Sequence, residues 1–120
     1  MLRRLLMLAG PLCLATGCAY DNAEELFPAP VCNTSAVTYQ GTIAPILQAN
    51  CLSCHSSAIA ESGIVLEDVH EVQHLAEHGT LLGVVTHSPG FPAMPKDAPQ
   101  LSACDIAAIR AWVEAGAPDN

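Results

Sequence analysis

Residues 51–55 read Cys51-Leu52-Ser53-Cys54-His55, and this C-x-x-C-H motif governs how the rest of the chain is interpreted. Two thiols at this spacing can each add to one vinyl group of a haem, while the adjacent imidazole reaches the iron. A thioredoxin-like redox pair would need a strand–helix setting, and a zinc site would need a second ligand pair. Neither is evident in the sequence. The motif therefore predicts one haem c per chain, attached through Cys51 and Cys54 and ligated by His55.

A second axial ligand is expected downstream of the motif. Met94 is the sole methionine beyond the N-terminal leader, and it lies in the proline-stiffened stretch Phe91-Pro92-Ala93-Met94-Pro95. A thioether opposite a histidine favours reduced iron and raises the reduction potential. Met94 is therefore the predicted ligand. His87 is the rival ligand, and a gap-filling core methionine is the other interpretation of Met94.

The N-terminus has the features of an export signal. Residues 1–17 contain a basic start, a short apolar run and small residues before Cys18. They resemble a lipoprotein signal peptide, with Cys18 as the lipidated residue of the mature chain. Residues 18–31 are acidic and carry prolines, which predicts a tether. Residues 32–120 then form the folded domain, held on the periplasmic side of a bacterial cell envelope. An ordinary signal peptide is the alternative.

Two further cysteines, Cys32 and Cys104, are not assigned to the signal peptide, to lipidation or to haem attachment. An even pair in an oxidising compartment predicts a disulfide, with two buried thiols as the alternative.

Three helices are predicted from apolar spacing, over residues 41–50, 67–78 and 102–115. Ser102 is a suitable N-cap, with Asp105 three residues later, and Gly79 and Gly116 suit helix ends. Residues 56–63 and 88–100 are predicted loops, whereas residues 81–86 suit a short helix or an extended segment equally.

The charge excludes some partners. Cleavage before Cys18 leaves Lys96 and Arg110 as the only two basic residues against 12 acidic ones, a net charge of −10. Such a chain should repel nucleic acid and favour a redox partner with a basic docking patch, although acidity can also serve solubility alone. No acid–base pair, nucleophile constellation or phosphate loop accompanies the motif, so no enzymatic reaction and no small-molecule substrate are expected.

His70, His74 and His78 recur every four residues and could form a surface metal site. They fall opposite the apolar positions of their predicted helix, so a solvated face is the preferred interpretation.

Taken in order, the C-x-x-C-H motif, Met94-Pro95, and the final helix with Trp112 and residues 116–118 resemble a small bacterial class I-like cytochrome c. The resemblance covers residues 38–118 and implies an all-α fold that wraps a haem, with the N- and C-terminal helices crossing. It would bring Ile43, Ile46 or Leu47 against Ile109, Trp112 or Val113, and it makes a bridge between Cys32 and Cys104 geometrically possible.

The function implied by this resemblance is electron transfer through a haem with His55 and Met94 as axial ligands. A filled sixth position leaves no open site for oxygen or peroxide. Two alternatives keep the haem: an enzyme or gas sensor in which Met94 is not a ligand, and a cytochrome subunit of a larger oxidoreductase assembly. A thiol–disulfide exchange protein using Cys51 and Cys54 is the alternative without haem.

Overall fold

The computed structural model describes residues 30–120, and within this range it contains helices and no strand, as the all-α prediction requires. We number the helices α1 (Ala44–Asn50), α2 (Leu52–His55), α3 (Val69–Glu77), α4 (Thr80–Val85) and α5 (Ala103–Glu114). A π-helical turn, Tyr39–Ile43, precedes α1, and a 3-10 turn, Glu61–Gly63, lies between α2 and α3. The predicted signal peptide, Cys18 and nearly all of the tether lie outside the described residues.

The first helical segment begins earlier than its apolar spacing predicts. The Thr38 side chain accepts a hydrogen bond from the Gly41 amide at 3.0 Å, which caps the π-helical turn. Pro45 follows in the first turn of α1, where its missing N–H is tolerated. The structure therefore extends the predicted helix by Tyr39 and Gln40, because a side-chain cap upstream of the apolar stripe supplies an N-terminus.

The middle of the chain forms two short helices joined by a glycine. Asp68 caps α3 by accepting from the His70 amide at 2.9 Å. Gly79 lies between α3 and α4. Its φ of 71° is a left-handed conformation that glycine adopts without steric cost, which allows the chain to turn there. The stretch that the sequence left undecided is thus helical, since α4 covers Thr80–Val85. No regular element occupies residues 88–100, in agreement with the predicted loop.

Helix α5 begins and ends where the sequence predicts. The Ser102 hydroxyl donates to Asp105 Oδ2 at 2.7 Å and accepts from the Asp105 amide at 3.1 Å. The Ser102 half of the capping box therefore forms, while the Asp105 carboxylate bonds the Ser102 hydroxyl and not its backbone amide. Gly116, with φ of 90°, ends the helix.

The apolar core joins the first and last helical segments. Ile43, Leu47 and Ile109 are buried, and the ring centroids of Tyr39 and Trp112 lie 5.6 Å apart. The π-helical turn before α1 and helix α5 are therefore in contact. Within residues 30–120, fourteen buried hydrophobic residues form one cluster: Tyr39, Ile43, Ile46, Leu47, Leu66, Val72, Ala76, Leu81, Val85, Leu101, Ala108, Ile109, Trp112 and Ala117.

The segment after α5 folds back over three helical regions. Trp112 Nε1 donates to the Pro118 carbonyl at 2.9 Å, and Gln73 Nε2 of α3 donates to the Ala117 carbonyl at 2.8 Å. Asn120 Oδ1 accepts from the Tyr39 amide at 2.8 Å, which links this segment to the π-helical turn. These bonds satisfy polar groups around the core and hold α3, α5 and the first turn together.

Cys32 and Cys104 are joined by a disulfide, with Cα atoms 5.1 Å apart across 72 positions of sequence. Cys104 lies in the first turn of α5, so the bridge ties the exposed segment around residues 33–36 to that helix. Among residues 30–120, no helix is long and apolar enough to span a membrane.

Candidate functional site

The C-x-x-C-H motif lies where α1 passes into α2. Cys51 is the residue between the two helices, and its carbonyl accepts from the Cys54 amide at 3.1 Å and from the His55 amide at 2.9 Å. A single tight turn therefore carries both thiols and the imidazole. The short helix α2 exists because α1 leads directly into the motif with no proline or glycine between them.

Neither cysteine of the motif is bonded to another cysteine, and their surroundings differ. Cys54 is exposed, whereas Cys51 is half-buried against the apolar core. Burial raises the pKa of the Cys51 thiol from 9.0 to about 11. A cysteine used for thiol–disulfide exchange has a lowered pKa, because the thiolate is the nucleophile. The microenvironment of Cys51 thus opposes the exchange function.

His55 contains a buried polar atom with no partner. Its Nδ1 is enclosed and makes no hydrogen bond within the described part of the chain. It is the only side-chain nitrogen or oxygen of residues 30–120 in that condition. Leaving such a group unsatisfied costs about 1–3 kcal/mol, so a buried orphan in a folded protein calls for an explanation such as a cofactor.

The backbone after His55 is held against the motif. The Leu66 amide donates to the His55 carbonyl at 2.8 Å, so the intervening loop returns to its starting point. Glu67 Oε2 accepts from the Ser57 amide at 2.7 Å. The hydrogen bonds from Ser57 lower the pKa of the Glu67 carboxyl, because they favour its charged form. Both contacts close the loop that follows the imidazole and so keep His55 in place.

Met94 lies in the loop between α4 and α5 and is tied to the end of α4. Its amide donates to the Val84 carbonyl at 3.0 Å, and its carbonyl contacts His87 Nε2 at 3.1 Å. The Met94–Pro95 peptide bond is cis. Met94 is half-buried, and it does not belong to the side chains of residues 30–120 that pack on the central core. The interpretation of Met94 as a gap-filling core residue therefore loses its support.

The same loop also rests on α4 through Phe91. A β-carbon placed on Gly83 would come within 2.5 Å of the Phe91 ring, so the ring lies directly on the glycine backbone. Gly83 has no side chain and thereby admits the loop that carries Met94. The sequence analysis did not identify this contact, although a glycine inside an apolar helical run is the signal that could have done so.

His70 and His74 of α3 and His78 at its C-cap lie on the solvent face, as predicted. All three are exposed, and the rings of His74 and His78 contact each other with centroids 4.3 Å apart. His78 Nδ1 donates to the His74 carbonyl at 2.8 Å. Within residues 30–120 no group of three or more metal-ligating side chains is assembled.

A cavity of about 330 Å³ lies beside α1 and the start of α3. Its lining includes Tyr39, Leu47, Leu66 and Asp119, and it contains none of the predicted site residues. Leu52 of the motif also lines it, whereas Cys51, Cys54 and His55 do not.

The structure thus groups Cys51, Cys54 and His55 on one turn and fixes Met94 on a second, independent segment at the end of α4. Comparison with known proteins adds nothing to these observations, since no family model, no curated protein and no solved structure matches the chain.

Proposed function

We propose that this protein is an electron carrier with one haem c, attached through Cys51 and Cys54 and ligated by His55 and Met94. One observation carries the proposal. The two unpaired thiols share a turn with an imidazole that has a buried, unpartnered nitrogen. This donor set fits the group, since covalent attachment needs two free thiols and ligation needs a histidine beside them.

When bound, the haem supplies reversible one-electron chemistry at its iron. The residues of this chain would hold it and control access to it. Cys51 and Cys54 would keep it attached, while His55 and Met94 would occupy the two axial positions. With both positions filled by protein, no substrate has a place to bind, and the protein transfers electrons without catalysing a reaction of its own.

The small apolar core supports the same proposal. The chain has one tryptophan, two tyrosines and two phenylalanines, so it has little aromatic surface for a stable interior. A domain of this size often needs a cofactor, a metal or a disulfide to complete its core. A buried macrocycle would add apolar area, and the disulfide between Cys32 and Cys104 would add a covalent constraint.

We further propose that the carrier acts in the bacterial cell envelope, anchored through a lipid on Cys18. The acidic surface favours a redox partner that presents basic residues, because opposite charges steer encounter. Such a partner could be a separate protein or a neighbouring subunit of a larger oxidoreductase.

The test is denaturing mass spectrometry of protein from cells with intact cytochrome maturation. The wild-type chain should carry the mass of one haem. Cys51→Ala and Cys54→Ala should each lose one thioether bond, which a pyridine haemochrome spectrum reports, and the double variant should lose covalent haem. Ser53→Ala is the matched control, because it changes an exposed position of the same turn and should leave attachment intact.

Wild-type protein without haem would refute the proposal and favour thiol–disulfide exchange by Cys51 and Cys54 instead. Wild-type protein with haem that binds carbon monoxide without any substitution would favour the gas sensor or haem enzyme instead.

A further inference from the structure

We propose that His87 is a positioning residue, which holds the Met94 segment by donating a hydrogen bond from Nε2 to the Met94 carbonyl. The inference rests on the proposed function and adds a residue to its site. In the sequence, His87 is a rival of Met94 for the iron. The contact of 3.1 Å between His87 Nε2 and the Met94 carbonyl oxygen assigns it another role.

The direction of this hydrogen bond follows from its acceptor. A carbonyl oxygen only accepts, so Nε2 must carry the proton that the bond uses. A ring nitrogen that bears a proton has no lone pair for a metal. While the bond exists, His87 therefore cannot ligate through Nε2, and that nitrogen supports Met94 rather than competing with it.

The backbone at His87 shows that its side chain is not incidental. The Ser88 amide donates to the Gly83 carbonyl at 2.9 Å, and the His87 amide donates to the Val84 carbonyl at 3.3 Å. These are the two bonds of a Schellman motif, which closes the end of α4 and usually has glycine at the position of His87. His87 has φ of 52°, a left-handed conformation that glycine adopts without cost and other residues adopt uncommonly. A histidine at such a position is explained if its ring is needed for the hydrogen bond to the Met94 carbonyl.

The second backbone group of Met94 is also bonded to α4. The Met94 amide donates to the Val84 carbonyl, so both polar groups of one loop residue are tied to positions 84–87. Thr86 reinforces that end of the helix, since its hydroxyl donates to the Leu82 carbonyl and lies 2.8 Å from the Ser88 hydroxyl. Two attachment points at Met94 limit where its side chain can reach, which matters for a neutral thioether ligand.

The Schellman geometry offers variants that separate the cap from the ring. His87→Gly should improve or preserve the helix end, because glycine suits the left-handed position, but it removes the bond to Met94. His87→Gln keeps a donor at nearly the distance of Nε2 and should retain the bond. A merely structural role for His87 predicts no loss in the glycine variant, whereas a positioning role predicts a specific loss at Met94.

The experiment compares wild type, His87→Gly and His87→Gln in three measurements: haem per chain, the affinity of the oxidised protein for imidazole, and hydrogen exchange of the Met94 amide in the reduced protein. We expect equal haem content in all three. In His87→Gly, imidazole should bind about fivefold more tightly and the Met94 amide should exchange about fivefold faster, the factor that corresponds to one neutral hydrogen bond. His87→Gln should remain close to wild type.

If His87→Gly equals wild type both in its affinity for imidazole and in the exchange rate of the Met94 amide, the inference is wrong. A wild-type spectrum of two histidine ligands that His87→Gly and His87→Gln both abolish would also overturn it, since His87 would then be the ligand itself. If the wild-type chain lacks haem, the proposed function fails, and Met94 amide exchange still decides whether His87 holds the loop.

Discussion

A thioether is a weak, neutral donor, so its value as an iron ligand depends on how firmly its backbone is held. The Met94 amide is hydrogen-bonded to Val84, and the Met94 carbonyl is hydrogen-bonded to His87. The loop that contains Met94 has no helix or strand. The prolines on either side of the Ala93–Met94 pair restrict the chain further, because each fixes its own φ. At the scale of single residues, Met94 is thus better restrained than its position in a loop suggests.

Replacing Met94 by alanine or by histidine should change the absorption spectrum and the reduction potential in different ways. Met94→Ala should abolish the weak far-red charge-transfer band from sulfur to iron, lower the reduction potential and allow carbon monoxide to bind. Met94→His should restore a six-coordinate spectrum at a lower potential than wild type, because imidazole favours oxidised iron more than a thioether does. Absorption spectra and redox titration measure both. An unchanged spectrum in Met94→Ala would place the ligand elsewhere.

Cys51 should be slow to alkylate in folded chain produced without cytochrome maturation. Burial raises its pKa from 9.0 to about 11, so its thiolate fraction near pH 8 is about 100-fold below that of an ordinary cysteine. In Cys54→Ala, iodoacetamide labelling of Cys51, followed by mass spectrometry, should accelerate between pH 9 and pH 11. Labelling in urea is the control and should show ordinary reactivity. Rapid labelling of the folded chain at pH 8 would contradict the burial.

The same shift has a consequence for stability. In the same haem-free chain, the folded state retains the Cys51 proton up to about pH 11, whereas the unfolded state releases it around 9.0. The unfolded state therefore binds fewer protons in this window, and the free energy of unfolding should fall as the pH rises through it. Below this window the contribution of Cys51 is fully present.

At the scale of elements, α4 is the support for the Met94 loop. It contributes the Val84 carbonyl, its C-terminal cap contains His87, and the Phe91 ring lies on its Gly83. A helix of six residues has little intrinsic stability in isolation, so α4 depends on packing of Leu81 and Val85 into the core. The loop and the helix therefore stabilise each other.

Gly83→Ala should destabilise the protein when Phe91 is present and stabilise it when Phe91 is replaced by alanine. With Phe91 present, the new β-carbon meets the ring at 2.5 Å, and the displaced loop should cost about 1–3 kcal/mol. With Phe91→Ala, the same substitution meets no ring and should stabilise α4 by up to about 1 kcal/mol, the helix preference of alanine over glycine. Denaturant unfolding of the four proteins in this cycle gives the coupling. Effects of equal sign in both backgrounds would contradict the contact.

At the scale of the whole molecule, the disulfide is the longest covalent constraint in residues 30–120. It encloses 72 positions of sequence, and a disulfide typically stabilises the folded state by roughly 2–4 kcal/mol. Cys32→Ser with Cys104→Ser should lower the free energy of unfolding by that amount and leave the attached haem unchanged. Calorimetry and the haemochrome spectrum measure the two. Two cysteines that alkylate fully under denaturing, non-reducing conditions would show that no bridge forms.

Membrane attachment is the second prediction at this scale. No helix of the described region could span a bilayer, and the predicted anchor is a lipid on Cys18. Cys18→Ser should release the protein from membrane fractions or block its processing, whereas Cys13→Ser, within the removed segment, should do neither. Fractionation with mass analysis of the mature N-terminus distinguishes these results. A wild-type protein that is soluble and begins at another residue would contradict the anchor.

Local sequence determined the elements that depend on neighbouring residues. Ser102 and Asp105 form the predicted cap of α5, and Gly79 and Gly116 end the helices that precede them. The solvent face with His74 was predicted from helical spacing alone. These features follow from chemistry within one or two turns, where the partners are fixed by the period of the helix.

The tertiary structure decided the contacts that lie outside the regular spacing of a helix. His87 as a support for Met94, Phe91 on Gly83, and Asn120 on the first helical turn all join segments whose separation carries no period. The burial that raises the pKa of Cys51 also belongs to this class. By itself, the sequence predicted which side chains would bind a haem, and it determined the cap at Ser102 and the helix ends at Gly79 and Gly116. Only the folded chain determined which of those side chains are buried, bonded or held in place, because burial and long-range hydrogen bonds exist only after the core has formed.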